Sequence, residues 1–222
     1  METKSILIIA AHPDDETFGC GGAITLHAKE GHKCSVLALT CSNDERREEL
    51  NNAMNLLKAN ELAVLNHRRI SLNHELIDQV SEFIVKVKPD IVVTHIPWDY
   101  HREHRLTYRV VKEALEWAAH STRYREPWNP TRLLLMEVNT LIPSPQIILD
   151  VSNVFEKKIE AIHCYPSQLQ KFPDDYYVKF SRVKAELRGV QGGCKYGEAF
   201  YEETLMKNSP FFNVKSSKNF FS

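Results

Sequence analysis

The stretch from Ile8 to Phe18, IIAAHPDDETF, decides the fold. The apolar residues from Ile6 to Ala11 predict a short strand buried on both faces, which is typical of a parallel sheet. The polar residues that follow place one imidazole and three carboxylates within five positions, around a proline turn. These are ligand types of a catalytic zinc ion, which generally keeps three protein ligands and one open position. The group consists of His12, Asp14, Asp15 and Glu16.

The composition favours one domain that acts on a small molecule. A chain of 222 residues can bury a large hydrophobic core, and we expect one domain over residues 1–210 with a polar tail at 211–222. With 28 Lys and Arg against 29 Asp and Glu, there is no electrostatic reason to expect nucleic acid or a membrane surface as a partner. The five scattered cysteines argue against a disulfide framework and indicate a reducing, cytoplasmic location. The apolar runs are too short for a signal peptide or a membrane span.

The hydrophobic pattern alternates between short apolar runs and amphipathic segments, which predicts a Rossmann-like three-layer α/β sandwich with a mostly parallel sheet. The glycines after the first strand lack the G-x-G-x-x-G spacing, and the acidic HPDD would repel a pyrophosphate, so a dinucleotide site is disfavoured. Residues 189–193 are predicted to form a loop, and 196–205 have no clear assignment. The predicted strands are 5–11, 33–40, 63–65, 90–95, 133–138 and 147–151, and the predicted helices are 21–31, 45–59, 76–87, 110–118, 153–164 and 177–187.

A second group of histidines and acids follows the predicted strand 90–95, in PWDYHREHR from Pro97 to Arg105. Open parallel sheets bind ligands at the carboxyl ends of their strands, so we expect one pocket to hold both polar groups. The run can also be read as a solvated helix start, because carboxylates favour the positive end of the helix dipole. This group supplies Asp99, His101, Glu103 and His104.

The motifs H-P-D-D-E and D-x-H-x-E-H together resemble the PIG-L/LmbE family of zinc-dependent N-deacetylases. Three further patterns are similar to family blocks outside the metal site, and the resemblance spans residues 5–205. It implies an α/β fold and the removal of an acetyl group from an amino sugar. The three patterns are R-x-x-E-x-x-x-A-x-x-x-L from Arg46 to Leu57, K-x-x-A-x-x-x-Y-x-S-Q from Lys158 to Gln168, and G-x-x-Y-x-E-A-F from Gly193 to Phe200.

The resemblance implies a role for most residues of the two motifs. His12, Asp15 and His104 would bind zinc, leaving a position for a water whose pKa falls to about 7. Asp14 would be the general base for the attack of this metal-bound water on the amide, with an ordinary carboxylate pKa near 4. His101 would stabilise the oxyanion, a contribution typically of about 3 kcal/mol.

Other residues of these motifs would support the site. Asp99 or Glu103 is expected to orient one of the imidazoles. Glu103 stands where the family usually has Asp, and its longer side chain leaves its contact open. Arg46 is the candidate for a substrate contact, because a guanidinium can donate to several sugar oxygens or to an anionic group, and Arg47 competes for this role. Glu16 has no predicted task.

These roles predict a zinc-dependent hydrolase that removes an N-acetyl group from a small-molecule amino sugar or sugar conjugate, although such sites also accept other divalent metals. The alternatives are an amidohydrolase of a non-sugar N-acyl metabolite and a non-catalytic zinc- or sugar-binding module. An assembly of identical chains is left open. The remaining histidines are interpreted as surface or core residues, with His95 the one nearest the site. Trp98, Tyr100 and Trp128 are left open between stacking on a sugar and packing.

Overall fold

The computed structural model describes residues 3–205, which form one mixed sheet and seven helices. The predicted tail at 211–222 lies outside the described residues. The strands are β1 (Ser5–Ala10), β2 (Lys33–Thr40), β3 (Glu61–His67), β4 (Ile91–His95), β5 (Arg132–Met136), β6 (Ile147–Asp150) and β7 (Gly197–Glu203). The helices are α1 (Asp15–Lys29), α2 (Asp44–Leu57), α3 (His74–Val87), α4 (Arg102–Ala118), α5 (Phe155–Ile162), α6 (Pro166–Leu169) and α7 (Tyr176–Gly192). None of the helices within residues 3–205 combines the length and the apolar character needed to cross a membrane.

The sheet has the strand order β3-β2-β1-β4-β5-β7-β6. The first five strands in this order are mutually parallel, and β7 is antiparallel to both of its neighbours. The predicted α/β sandwich with a mostly parallel sheet is therefore confirmed. The chain leaves β1 towards β2 on one side and returns to β4 on the other. The carboxyl ends of β1 and β4 thus form a topological switch point, where such sheets bind ligands.

The continuous apolar run of β1 is explained by burial on both faces of the sheet. Ile6 and Ile8 pack in a core with α1, α2 and α5, whereas Leu7 and Ile9 pack in a second core with α3 and α4. Fully burying each such side chain is worth about 1.5–3 kcal/mol. The two cores fix β1 at the centre of the sheet and so fix the position of the HPDDE motif that follows it.

Three helices extend five or more residues beyond one of their predicted bounds. α1 begins at Asp15 rather than at residue 21, α4 begins at Arg102 rather than at 110, and α7 continues through the predicted loop 189–193 as far as Gly192. Glycines disfavour helices by about 1 kcal/mol each, which hid two of these bounds in the sequence. Here they permit close packing: a Cβ at Gly22 would lie 2.8 Å from Val151, and one at Gly189 would collide with the carbonyl of Lys195.

A buried ion pair explains two of the sequence patterns outside the metal site. Lys158 on α5 lies 2.6 Å from Glu198 on β7, and both side chains are almost completely buried. The carboxylate of Glu198 also accepts the backbone N–H groups of Gly22 and Ala23, each at 2.8 Å. These N–H groups are free because α1 is kinked at Cys20, where φ is −145°. The pair therefore joins α1, α5 and β7.

Candidate active site

The two polar motifs meet at the carboxyl ends of β1 and β4, as predicted. The turn after β1 supplies the first motif, and the second begins in the loop after β4 and continues into the first turn of α4. Both contribute to one pocket of about 370 Å³. The pocket is lined by His12, Asp14, Asp15, Arg46, His101 and His104 together with further residues of the surrounding loops.

Asp15 lies at the centre of the three residues that the resemblance assigns to zinc. One of its carboxylate oxygens is 3.2 Å from Nδ1 of His12, and the other is 3.2 Å from Nε2 of His104. Burial raises the pKa of Asp15, but the imidazoles of His104 and His95 outweigh burial and hold that pKa well below its usual range. The carboxylate is therefore ionised and faces the imidazoles.

The donor set fits a divalent metal ion. Burial lowers the pKa of each imidazole, but Asp15 outweighs it and raises the pKa of His12 to about 9 and that of His104 to about 10. In the metal-free site, protons on His12 and His104 therefore balance the negative charge of Asp15. A metal ion would replace these protons when it binds, as at metal sites in general. Two groups have possible ligand atoms within 4.8 Å of one another: His12 with His101 and His104, and Asp15 with His95 and His104. The predicted ligand set takes members from both groups.

Each predicted histidine ligand has a second carboxylate at the ring nitrogen that points away from Asp15. Asp99 lies 3.3 Å from Nδ1 of His104, and Glu103 lies 2.6 Å from Nε2 of His12. Glu103 also accepts the backbone N–H of Ile70 at 3.1 Å. Such partners fix the orientation of metal-binding imidazoles. The sequence predicted one oriented imidazole, and the structure contains two, with the longer Glu103 side chain reaching His12.

Asp14 has a strained backbone and a carboxylate with an unusual pKa. Its φ of 121° is rare for a residue with a side chain, and its N–H donates to Glu16 at 3.2 Å. Burial raises the pKa of Asp14 to about 7, reinforced by Asp15 and opposed by Arg46. The expected ordinary pKa near 4 is wrong, because the sequence does not reveal how deeply this side chain is buried.

Arg46 is occupied by groups of the protein. Its guanidinium donates to Asp14 at 2.7 Å, to Glu49 at 2.8 Å and to the carbonyl of Pro13. Glu49 in turn accepts the N–H and the hydroxyl of Ser167, each at 2.7 Å, so two of the matched patterns meet here. Arg46 lines the pocket, and its contact with a substrate stays a prediction. The structure adds a second task for this side chain, which is to hold Asp14.

The sequence predicts no role for Glu16. In the structure this residue lies under the turn at Asp14, whose backbone N–H it accepts. Its side chain is completely buried and accepts the hydroxyls of Tyr165 at 2.6 Å and Thr17 at 2.9 Å. Tyr165, also completely buried, belongs to the late K-x-x-A-x-x-x-Y-x-S-Q pattern. Glu16 and Tyr165 each belong to a motif that the sequence analysis identified. The sequence did not indicate that the two residues contact each other.

His95, the histidine that the sequence analysis named as nearest the site, is a core residue that contacts the site. It is completely buried, its Nε2 accepts the N–H of Ala11 at 3.0 Å, and its ring stacks on that of His104 at a centroid distance of 4.1 Å. Burial lowers the pKa of His95 well below its usual range, so the ring is neutral. His101 lies 4.6 Å from His104 and 5.1 Å from His12 between ring centroids, at the pocket.

The three aromatic residues that the sequence left open have different surroundings. Tyr100 is 71% exposed and lines the pocket, where its ring is available to a ligand. Trp128 donates to the carbonyl of Pro89 at 2.7 Å, and Trp98 contacts Tyr201 edge to face at 5.7 Å. Trp128 is therefore a packing residue, whereas Tyr100 is placed for stacking.

The fold and the site define an α/β protein with a pocket suited to a divalent metal beside a partly buried carboxylate of raised pKa. The family described as PIG-L: GlcNAc-PI de-N-acetylase matches residues 7–115, which include both polar motifs. The chain belongs to this PIG-L/LmbE family.

Known proteins resemble the chain over most of its length. The probable N-acetyl-alpha-D-glucosaminyl L-malate deacetylase 2 of Bacillus cereus is 23% identical over 82% of this chain and 91% of its own. The 4-oxalmesaconate hydratase of Pseudomonas putida is 26% identical over 87% of this chain and 83% of its own. The solved structure of N,N'-diacetylchitobiose deacetylase from Pyrococcus horikoshii covers 91% of this chain and 84% of its own, with 26% identity and a TM-score of 0.79.

Proposed function

We propose that this protein is a zinc-dependent hydrolase that removes an N-acetyl group from an amino sugar or a sugar conjugate. The observation that carries the proposal is the carboxylate of Asp14, which is 14% exposed and faces the same pocket as the imidazoles of His12, His101 and His104. A general base next to a metal site is the arrangement that amide hydrolysis by an activated water requires. The deacetylases of Bacillus cereus and Pyrococcus horikoshii, which resemble the chain over most of its length, support the reaction class.

In this proposal His12, Asp15 and His104 hold the metal. Asp99 and Glu103 fix the rings of the two histidines through the nitrogens that do not face Asp15. A bound zinc ion supplies a water of lowered pKa and polarises the acyl carbonyl. The negative charge of the Asp15 carboxylate would partly neutralise the positive charge of that ion.

Asp14 takes a proton from the attacking water and later delivers it to the departing amine. Without a bound metal ion, burial raises the pKa of Asp14 to about 7. A raised pKa favours proton uptake, because a general base is most effective when its pKa lies near the working pH. Arg46 and Glu16 hold this residue in place through its carboxylate and its backbone N–H, respectively.

His101 stabilises the oxyanion, and Tyr100 covers the sugar ring. Burial, assisted by His104, lowers the pKa of His101, so the neutral ring donates through one N–H. The Nδ1 atom of His101 is buried without a hydrogen-bond partner among the described residues, which leaves this nitrogen available to a ligand. The exposed ring of Tyr100 offers a stacking surface next to it.

A substrate panel tests the proposal. Zinc-loaded protein is incubated with N-acetyl sugars, nucleotide sugars with an N-acetyl group, and acylated amino acids, and the release of primary amine is followed. We expect release from one or more of the sugars. Release from acylated amino acids alone would favour an amidohydrolase of a non-sugar metabolite, and no release from any compound by metal-loaded protein would favour a binding module.

A second candidate function is the addition of water to an unsaturated acid. It is favoured by the similarity to the Pseudomonas putida hydratase, which extends over 87% of this chain. It is also favoured by Lys171, which lines the pocket and donates to the neutral amide of Gln168, so that its charge remains available to a carboxylate of the substrate. Loss of the ultraviolet absorbance of an unsaturated dicarboxylate, without amine release from the sugar panel, would select this reaction instead.

A further inference from the structure

A second pocket lies along helix α4 and shares no lining residue with the pocket of the candidate active site. Its volume is about 410 Å³. Half of the residues that line it are arginines, and none of them carries a carboxylate. We call it the arginine pocket. It consists of Pro97, Arg102, Arg105, Leu106, Tyr108 and Arg109.

The spacing of the three arginines places them on one face of α4. Arg105 follows Arg102 by three residues, and Arg109 follows Arg105 by four. At about 100° per residue these positions fall within an arc of about 60°. Side chains three and four residues apart are neighbours on a helix, and like charges at this spacing destabilise it. An anion bound between the guanidinium groups would remove this repulsion.

The described residues do not neutralise two of these arginines. The guanidinium groups of Arg102 and Arg109 are exposed and make no ion pair or hydrogen bond with residues 3–205. Glu113, one turn beyond Arg109, does not pair with it, and Glu203, which borders the pocket, pairs with Lys112 at 3.4 Å. The sequence 206–222 contains no Asp or Glu. The arginine pocket therefore has positive charge available to a ligand.

Arg105 is held in place by the loop between β4 and α4. Its Nη1 atom donates to the carbonyls of Asp99 and Tyr100, each at 2.6 Å. A guanidinium has five N–H donors on three nitrogens, and these two bonds involve one nitrogen only. Because its partners here are neutral carbonyls, Arg105 keeps its full positive charge. A planar guanidinium that is already oriented loses little conformational entropy when it binds an oxyanion.

We propose that the arginine pocket binds the phosphate group of a soluble small molecule, and that the bound phosphate stabilises the loop before α4. Guanidinium groups bind phosphate oxygens through pairs of parallel, charge-assisted hydrogen bonds. Three positive charges on one face favour a dianion over a singly charged carboxylate. The apolar side chains of Pro97 and Leu106 provide a surface for the organic part of the ligand. The inference concerns a separate pocket and does not depend on the proposed reaction.

Arg105 connects the arginine pocket with the candidate active site. The two residues whose carbonyls it holds both contribute to that site, because Asp99 lies 3.3 Å from Nδ1 of His104 and Tyr100 lines the pocket. A phosphate that binds Arg105 keeps its guanidinium against these carbonyls. The loop should therefore open less often when phosphate is bound.

The first test measures binding to the full chain by isothermal titration calorimetry, with inorganic phosphate and glycerol phosphate as probes. We expect the Arg102→Gln/Arg109→Gln variant to bind both at least about tenfold more weakly than the parent, because each lost guanidinium removes charge-assisted hydrogen bonds. The matched control is Arg123→Gln/Arg125→Gln, which removes the same charge at two exposed positions after α4. The control should bind both probes as the parent does.

The second test measures hydrogen exchange in the loop with and without inorganic phosphate. The N–H of Tyr100 donates to Thr140 at 3.0 Å, and that of His101 donates to Asp99 at 2.8 Å, so both amides report opening of the loop. Phosphate should slow their exchange in the parent and have no effect in the Arg102→Gln/Arg109→Gln variant.

Four results would overturn the proposal. The parent could fail to bind either probe, or it could bind them no more tightly than the Arg102→Gln/Arg109→Gln variant, which would assign the anion to another site such as the metal site. Equal weakening in the control would show attraction to net charge alone. Exchange in the loop that does not respond to bound phosphate would exclude the stabilisation. A lipid headgroup would instead be identified by binding to phosphatidylcholine vesicles only when they contain phosphatidic acid, without binding of glycerol phosphate.

Discussion

Charged side chains are buried in two regions: around the pocket, and beneath α7 in a network of Glu137, Lys184 and Arg188. The two regions differ in how many of their buried polar atoms have hydrogen-bond partners. In the network, Glu137 is 2% exposed and pairs with Arg188, whose guanidinium also donates to the carbonyl of Ile142 at 2.8 Å. Lys184 donates to the carbonyls of Glu137 at 2.9 Å and Val138 at 3.1 Å. Around the pocket, by contrast, ring nitrogens of two histidines and one oxygen of a carboxylate are buried without hydrogen-bond partners among the described residues. These atoms are Nδ1 of His95, Nδ1 of His101 and Oδ2 of Asp99.

The difference separates a structural charge cluster from a functional one. A buried ion pair with full hydrogen bonding holds elements together, and it has no capacity left for a ligand. Buried polar atoms without partners are costly, so a folded protein retains them chiefly where a ligand or a reaction uses them. The same comparison makes opposite predictions for substitutions in the two regions: loss of chemistry in the pocket and loss of stability in the buried ion pairs.

The largest effect is expected for Asp14→Asn. An amide cannot take the proton of the attacking water, so kcat should fall by about 10²–10⁴-fold. The metal content of the purified variant should stay near that of the parent, because Asp14 is not among the proposed ligands. The control is Asp90→Asn, at the other end of the sheet, where the carboxylate accepts the N–H of Ser5 at 2.9 Å. Undiminished turnover by the Asp14→Asn variant would remove the proposed mechanism.

Lys158→Met should lower stability and leave the pocket chemistry intact. The substitution leaves Glu198 buried without its cation, and breaking such a pair typically costs about 3–5 kcal/mol of the free energy of unfolding. Urea unfolding measures the loss, and kcat per folded molecule should stay within about twofold of the parent. Lys86→Met, which breaks an exposed pair with Glu61, should cost about 1 kcal/mol or less. If the two variants lost the same free energy of unfolding, the Lys158–Glu198 pair would not contribute to stability as a buried ion pair.

Glu103→Gln should weaken metal binding without unfolding the protein. The carboxylate of Glu103 orients the ring of His12, and removal of such a partner typically costs about 10–100-fold in metal affinity. Competition with a chromophoric chelator measures the dissociation constant for zinc. Glu113→Gln, an exposed position on the same helix, is the control and should bind zinc as the parent does. An unchanged affinity in the Glu103→Gln variant would show that His12 does not depend on this contact.

The smallest effect is expected in the pH dependence that Lys184 imposes on stability. Burial lowers the pKa of Lys184 from 10.5 to about 7, reinforced by Lys158. Between these two pH values the unfolded chain binds a proton that the folded chain lacks, so stability rises with pH. Relative to Lys184→Met, the free energy of unfolding of the parent should increase between pH 7 and 9 by up to about 1.4 kcal/mol per pH unit.

The exposed Lys29 on α1 provides the comparison for this last measurement. The difference between the parent and Lys29→Met should change little over the same pH range, because this side chain is exposed at the surface. Parallel pH profiles for the parent and Lys184→Met would contradict the lowered pKa.

Local patterns in the sequence determined six of the seven strands and the location of the site, whereas the unassigned segment 196–205 contains β7. The unbroken apolar run before His12 predicted a strand buried on both faces, and polar groups after two such strands predicted a shared pocket. Both predictions succeeded because a continuous apolar run is typical of a strand covered on both faces, and because the carboxyl ends of parallel strands lie at one edge. The types of residue at that edge were enough to predict a metal site next to a carboxylate.

Only the tertiary structure decided how these residues are held and what their pKa values are. Glu16 meets Tyr165 across 149 positions of the chain, and Glu103 meets His12 across 91. The raised pKa of Asp14 and the hydrogen bonds of Arg46 to Asp14 and Glu49 depend on how the two side chains are enclosed by the fold. No local pattern in the sequence indicates this. The sequence determined which chemical groups reach the edge of the sheet, because that depends on short-range periodicity. Their partners, burial and strain depend on how distant segments pack, and these were decided only when the chain folded.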